Sequence, residues 1–296
     1  MFDTLYSVKG ADGSPAKFTL DTVVSNPDFS KIKDSGYREM HTETLFQTAE
    51  KYPNHDRVEH LYKEGISKGL IKPQFHGLQH IHANNWLNAL ASGETAVLDA
   101  FDEEMITVHQ HNKTRCSEFY LDAWAMHTNQ DIKNISEELT EGLKLFESLF
   151  GFRSVSAIPP CFKMTEDVLA VLSETDVNHI QAALYQQSID DSSRKRHYTG
   201  EKNQFGQFYT VRNVNFEPSL MPNKDWISEV LQDVYWAFFW GKPAIINTHR
   251  LNFVGSLSEK NRDQNLKLLR EILKRITQRW PEAEFVTSNR LGEVFE

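Results

Sequence analysis

The chain has 296 residues, of which 40% are hydrophobic, so it is long enough for one large α/β domain or two ordinary ones. Its 32 basic and 41 acidic residues give a net charge of -9, which makes nucleic acid a poor partner. No stretch approaches the roughly 18 apolar residues that a membrane span needs, and the first residues lack the basic and apolar regions of a signal peptide.

The sequence contains two cysteines, Cys116 and Cys161, without the spacing of a metal or redox motif. We interpret them as two small buried side chains, and their scarcity fits a reducing compartment. Together with the missing membrane span and export signal, this predicts a cytoplasmic location.

The predicted elements alternate between helices and strands along the chain. Apolar runs and alternating patterns predict strands at residues 16–24, 69–75, 151–158, 178–181, 208–214, 242–248 and 284–288. Helical spacing and caps predict helices at residues 2–8, 44–51, 59–69, 83–90, 136–150, 165–173, 226–240 and 262–280. This alternation predicts a parallel sheet, and the lack of a low-complexity linker or a fixed-period repeat favours one domain over residues 1–296.

Two histidines four residues apart, His76 and His80, follow the predicted strand at 69–75. A strand end that runs into a helix lies at the rim where ligands and catalytic groups collect in α/β folds. Two imidazoles at this spacing can converge on one metal ion. The spacing alone also fits surface or hydrogen-bonded core histidines, because 12 histidines produce such a pair by chance.

His249 follows the predicted strand at 242–248, so a parallel sheet brings it to the same rim as His76. There it would be placed to transfer a proton to a leaving group, the alternative being a hydrogen-bonded loop histidine. Asp21, near the end of the first predicted strand, is a candidate for the carboxylate that a two-histidine metal site needs, or else a turn residue. Glu217 is a further candidate at this rim.

Other chemistry-bearing residues have plainer expected roles. His109 and His111 alternate like strand neighbours but lie in a polar stretch, so we expect solvated side chains. His82 is expected to cap the following helix or to face away from the rim. Four aromatic residues are expected in the core, with stacking on sugar rings as the alternative: Trp236, Phe238, Phe239 and Trp240.

Four segments resemble the polysaccharide deacetylases of the NodB-like type, and more closely a branch associated with bacterial surface-polysaccharide loci. The segment 75–80 resembles the HxxxH metal motif of that family, and 158–161 resembles its proline-bearing strand end. The segment 211–218 resembles a stretch of the branch, and 247–253 stands where the family carries its late histidine. The resemblance covers the chain from about Phe18 onward.

The resemblance implies a distorted (β/α) barrel of about seven strands and a divalent metal, usually zinc. It also implies hydrolysis of an N- or O-acetyl group on a sugar or polysaccharide precursor. Carried over by position, His76 and His80 are metal ligands and His249 is the general acid. Arg250 and Asn252 lie beside His249 and are candidates for substrate binding.

One departure from the family is clear, because no Asp-Asp pair precedes His76. In the family this pair supplies the catalytic base and the third metal ligand, and Asp21 is the nearest substitute. The chain also opens inside a helix that should follow strand one, so we expect either a truncated start that lacks the first strand or a variant without the motif. The alternatives are a non-catalytic carbohydrate-binding or assembly protein that retains the barrel and a glycoside hydrolase, for which no carboxylate pair can be nominated.

Overall fold

The computed structural model describes residues 1–52, 57–108, 110 and 113–292. Within these ranges the strands are β1 Phe18–Thr22, β2 Ser25–Pro27, β3 Thr42–Thr44, β4 Ile71–Phe75, β5 Ser156–Ala157, β6 His179–Ala182, β7 Tyr185–Gln187, β8 Arg194–Arg196, β9 Phe208–Val211, β10 Val214–Asn215 and β11 Ile246–Asn247. The α-helices are α1 Phe2–Tyr6, α2 Phe29–Asp34, α3 Leu45–Glu50, α4 Val58–Ser67, α5 Ala83–Ala91, α6 Thr95–Asp102, α7 Asp131–Phe150, α8 Glu166–Glu174, α9 Trp226–Phe239, α10 Glu259–Arg279 and α11 Ser288–Leu291. No helix in the described ranges is long and apolar enough to cross a membrane.

The central sheet has five strands in the order β1-β4-β5-β6-β9, and every neighbouring pair is parallel. The strands therefore follow one another across the sheet in the order in which they occur along the chain. Strands β10 and β11 form a second parallel pair, while β2-β3 and β7-β8 are antiparallel. The prediction of a mixed α/β fold with a mainly parallel sheet is confirmed.

Side-chain contacts show that this sheet is strongly curled. Three strand spacings separate β1 from β6, about 14 Å in a flat sheet, yet Gln181 on β6 donates to Asp21 on β1 over 2.8 Å. Arg212, the residue after β9, also donates to Asp21, over 2.7 Å. The first and last strands of the sheet must therefore approach each other. The curl brings residues that are far apart in sequence to one place.

Buried apolar side chains form three clusters that join strands and helices. One cluster joins β4, β6, α7 and α8, a second joins α1, α9, α10 and β10, and a third joins α2, α5 and α6. Full burial of one large apolar side chain contributes roughly 1.5–3 kcal/mol. Gly142 lets α7 approach β4, since a Cβ there would lie 2.8 Å from the Phe75 ring. This contact fixes the position of the strand that carries His76 at its end.

Four predicted strands differ from the structure. The strand predicted at 151–158 is reduced to β5, and that predicted at 208–214 is interrupted between β9 and β10. The strand predicted at 242–248 shrinks to β11, because Pro243 lacks an N–H and the N–H of Ile245 donates to the Asn213 side chain instead of a neighbouring strand. The strand predicted at 284–288 does not form. Its last N–H, that of Ser288, donates to the Thr19 hydroxyl, and a short helix begins there.

The interpretation of the two cysteines as separate buried thiols is wrong. Cys116 and Cys161 form a disulfide across 45 residues of sequence, and both side chains are only half-buried. Their sequence spacing matches no known motif, so only the fold reveals the pairing. The bond ties the segment before α7 to the loop that follows β5.

Candidate functional site

His76 and His80 lie together at the carboxyl end of β4. The chain turns between them at Gly77, whose φ of 110° and close approach to the Gln79 carbonyl oxygen require glycine. The two imidazole rings are 4.8 Å apart between centroids and inclined at 74°. The His76 Nδ1–H donates to the Ile158 carbonyl oxygen over 2.8 Å, which fixes that ring against the loop after β5.

Burial favours the neutral form of both histidines. Burial lowers the pKa of His76, although the Ile158 carbonyl opposes this, and the nearby Arg212 charge lowers it further. Burial, together with the neighbouring His76, lowers the pKa of His80 to about 4. Two neutral imidazoles at neutral pH are the form in which histidine binds a metal ion.

The donor atoms of this pair fit two positions of a metal site. Because Nδ1 of His76 holds a proton for Ile158, its Nε2 lone pair is left for a ligand. Nδ1 of His80 is buried and makes no well-formed hydrogen bond in the described part of the chain, although backbone groups of His80 and Leu121 interact with the ring and oppose the lowering of its pKa. A metal could satisfy this nitrogen. Among the described residues, however, no group of three or more His, Cys, Asp or Glu side chains is arranged to hold a metal ion.

Asp21 is engaged elsewhere in a buried polar network. Its two carboxylate oxygens accept from Gln181 over 2.8 Å and from Arg212 over 2.7 Å. Gln181 also lies within hydrogen-bond distance of the hydroxyls of Ser156 and Ser288. Burial raises the pKa of Asp21, and the Arg212 guanidinium and Gln181 oppose that rise. The residue proposed from the sequence as a third ligand is therefore the anion of an internal ion pair.

His249 forms a pair with Glu217 at the end of β11. The imidazole Nδ1 lies 2.6 Å from a Glu217 carboxylate oxygen, and the His249 side chain is 65% exposed, while that of Glu217 is 13% exposed. The other Glu217 oxygen accepts from the Asn252 amide over 2.9 Å. A carboxylate only accepts, so Nδ1 of His249 carries the proton and Nε2 is free to exchange one with a substrate.

Asn252 and Arg250 occupy different environments beside this pair. Asn252 is fully buried, and its amide also donates to the Thr248 hydroxyl and the His249 carbonyl, so it braces the turn that presents His249. Arg250 is exposed at the start of the short helix Arg250–Asn252. Arg250 therefore presents its charge to solvent, while the neutral Asn252 is inaccessible to it.

Arg212 connects the two histidine sites. One guanidinium nitrogen donates to Asn247 on β11 over 2.6 Å, and another donates to Asp21 on β1. Its charge also reaches His76. The sequence shows Arg212 only as part of the segment 211–218. Its role is not visible there, because its partners Asn247 and Asp21 lie 35 and 191 residues away.

The remaining predicted residues have mixed outcomes. His82 caps α5, as expected, by accepting from the Asn85 N–H. His109 and His111 lie outside the described residues. The prediction that the aromatic cluster is core is right for Phe238, which packs on Trp280, but wrong for the other three, which are 47%, 59% and 70% exposed: Trp236, Phe239 and Trp240. They lie on the outer face of α9 and just after its end, where they contact one another.

Comparison with models of known protein families finds no match for this chain, and comparison with curated protein sequences finds none either.

Proposed function

We propose that the protein is a metal-dependent carbohydrate deacetylase of the NodB-like type, with an acetylated sugar or polysaccharide precursor as its substrate. The observation that carries the proposal is the pair of desolvated imidazoles of His76 and His80, 4.8 Å apart at a strand end. The curl of the sheet, which brings Arg212 to Asp21, supports a distorted (β/α) barrel of about seven strands.

In this proposal His76 and His80 hold a divalent ion, zinc being the usual one for imidazole ligands. When bound, such an ion polarises an acetyl carbonyl and lowers the pKa of a coordinated water. The chain contributes two prearranged, neutral donors, because Ile158 fixes the His76 ring and burial disfavours protonation of both rings. The substrate's acetyl group would lie at the rim above β4.

His249 is the proton donor to the leaving group in this proposal. The Glu217 carboxylate holds the Nδ1 proton and so orients Nε2, while Asn252 fixes Glu217 from behind. The exposure of the His249 side chain leaves Nε2 open to a sugar oxygen or nitrogen. Arg250 would contact substrate hydroxyls from the adjacent position.

A non-catalytic carbohydrate-binding or assembly protein on the same scaffold is the second candidate. The specific observation in its favour is that both oxygens of Asp21 are taken by Gln181 and Arg212. An ion-paired carboxylate is a poor general base and a poor third ligand. Metal content and acetate release separate the two candidates.

The test is elemental analysis of the purified, dialysed chain together with acetate release from acetylated xylan and from chitin oligosaccharides. We expect near-stoichiometric zinc that is lost in the double variant His76→Ala, His80→Ala. The matched control replaces two histidines outside the site, His41→Ala and His60→Ala, and should keep its metal. Acetate release that disappears in His249→Ala supports catalysis, whereas metal-free protein without acetate release favours the second candidate.

The cytoplasmic location belongs to this proposal as well. The Cys116–Cys161 disulfide argues against it, because cytosolic thiols are normally kept reduced. Trapping thiols with an alkylating reagent during cell lysis, followed by mass spectrometry, decides the matter. Two alkylated cysteines support the cytoplasm, and an intact disulfide contradicts it.

A further inference from the structure

The hairpin formed by β7 and β8 carries an exposed surface in which arginine and tyrosine side chains interleave. The register pairs Tyr185 with Arg196 and Gln187 with Arg194. Because side chains alternate along a strand and directly paired residues share a face, these four side chains lie on one face of the hairpin. Tyr198 follows on the same side of the chain. We name this surface the Arg–Tyr face.

The guanidinium groups of the Arg–Tyr face lie on aromatic rings. Arg194 lies 4.5 Å from the centre of the Tyr185 ring, and Arg196 lies 4.9 Å from that of Tyr198. Within the described part of the chain, neither arginine forms an ion pair with a carboxylate, in contrast to Arg153, Arg212 and Arg275. Both charges therefore remain available to an anion from outside.

The opposite face of the hairpin is anchored to the body of the protein. Gln186 donates to the Met164 carbonyl and accepts from the buried His197 ring. Lys163 donates to the Ile189 carbonyl and pairs with Asp191 at 2.9 Å. The other acid of the turn, Asp190, accepts hydrogen bonds from Ser188 and Ser192. The hairpin is thereby held in one orientation, with the Arg–Tyr face toward solvent.

The hairpin and His76 are held by the same loop, residues 158–163. His76 donates to Ile158 at the start of that loop, and Lys163 at its end anchors the hairpin turn. The hairpin also begins directly after β6, at the carboxyl end of the central sheet. A polymer bound along the Arg–Tyr face would therefore run beside the rim that carries His76.

We propose that the Arg–Tyr face binds a polysaccharide that carries carboxylate groups, so that the substrate of the proposed deacetylase is an acidic glycan. Two arginines on one strand face, two residues apart, present guanidiniums about 7 Å from each other, and guanidinium binds carboxylate with two parallel hydrogen bonds. Tyrosine rings offer apolar faces to the C–H groups of sugar rings. In a chain of net charge -9, this local positive surface selects for an anionic ligand.

This inference rests on the proposed function for the nature of the substrate, but binding is measured without any reaction. Isothermal titration calorimetry in the presence of a chelator uses polygalacturonate as the probe. The methyl-esterified polymer, which has the same backbone with its charges masked, is the matched ligand control. Polyglutamate presents the same carboxylates on a polypeptide.

Within the hairpin, Lys195 provides the matched control, because it is exposed on the same strand but alternates to the other face. We expect polygalacturonate to bind, Arg194→Gln with Arg196→Gln to weaken binding at least about tenfold, and Lys195→Gln to change it less than about twofold. A second control, Arg270→Gln with Lys274→Gln on α10, makes the same change in net charge and should bind like the wild type.

Three results would overturn the inference: no binding to polygalacturonate at low salt, an equal loss in the control variants, or equal binding of polyglutamate or the methyl ester. If metal and acetate release both fail while this binding pattern holds, the deacetylase proposal falls and the acidic-glycan site stands. If acetate is released only from neutral glycans and the Arg–Tyr face does not bind polygalacturonate, the reverse holds.

Discussion

Desolvation controls the two histidines at the end of β4, whereas pairing with a carboxylate controls the histidine at the end of β11. His76 and His80 are buried, and burial lowers the pKa of each. His249 is mostly exposed, and its ring is oriented by a Glu217 carboxylate at 2.6 Å. The first arrangement suits lone-pair donation to a metal, and the second suits proton exchange with a substrate.

A related contrast separates two acids close to the central sheet. On α7, which packs on β4, burial raises the pKa of Glu138 to about 7. Asp21 on β1, the strand next to β4, instead keeps a cationic partner in Arg212. Burial thus favours the neutral form of Glu138, whereas the Arg212 guanidinium favours the charged form of Asp21. The loss of stability on replacing a residue should therefore depend on whether its carboxyl partner is neutral or paired.

Replacing Arg212 by leucine is expected to have the largest effect on stability, a loss of about 3 to 5 kcal/mol, because it leaves the Asp21 carboxylate desolvated without its cation. Since Arg212 holds the pKa of Asp21 down against burial, the loss should be greatest at neutral and alkaline pH. Urea unfolding at pH 8 measures it. The double variant Arg212→Leu, Asp21→Asn should recover most of the loss, and a double variant no more stable than the single one would contradict the pairing argument.

Removing the disulfide by replacing Cys116 and Cys161 with alanine is expected to cost about 3 to 4 kcal/mol, because the bond closes a loop across 45 residues in the unfolded chain. Urea unfolding with and without dithiothreitol measures the effect. Reductant should destabilise the wild type and leave the double variant unchanged. Two free thiols titrated in the unfolded, unreduced wild type would show that the bond is not present.

Replacing Glu138 by glutamine tests whether the buried Glu138 carboxyl binds a proton near neutral pH. The folded-state pKa of about 7 lies above the ordinary value of 4.5, so the folded state binds more protons between these values, and stability falls as pH rises from about 5 through 7. Glutamine removes that dependence, so the loss of unfolding free energy between pH 5 and pH 8 should shrink by about 2 kcal/mol. Glu137→Gln, one residue away and exposed, is the control. If the unfolding free energies of Glu138→Gln and Glu137→Gln depended on pH in the same way, the raised pKa of Glu138 would be contradicted.

The strand end at His76 is predictable from sequence because its signals are local. An apolar run followed by glycine predicts a strand at 69–75, and β4 occupies Ile71–Phe75. Helix α9 is similarly close to its prediction, with Trp226–Phe239 formed against 226–240 expected. Spacing and caps act within a few residues, so they survive without knowledge of the tertiary fold.

The partners of the site residues are not predictable in this way. Asp21 meets Arg212 across 191 residues and Cys116 meets Cys161 across 45, and both contacts depend on tertiary packing rather than on any local pattern. The exposure of Trp240 has the same origin. Hydrophobic composition predicts that such a side chain is buried, but only the packing of α9 shows which of its faces is covered.

Glu217→Gln should have the smallest effect on stability, below about 1 kcal/mol, although its bond to His249 is as short as the bond between Asp21 and Arg212. The reason is exposure, since the His249 side chain is 65% exposed and that of Arg212 is 19% exposed, and water screens the first pair. Unfolding of both variants under identical conditions measures the contrast. A loss in Glu217→Gln equal to that in Arg212→Leu would mean that solvent exposure does not distinguish the two ion pairs. A small loss of stability with a large fall in acetate release would instead mean that Glu217 acts mainly by orienting His249 for proton transfer.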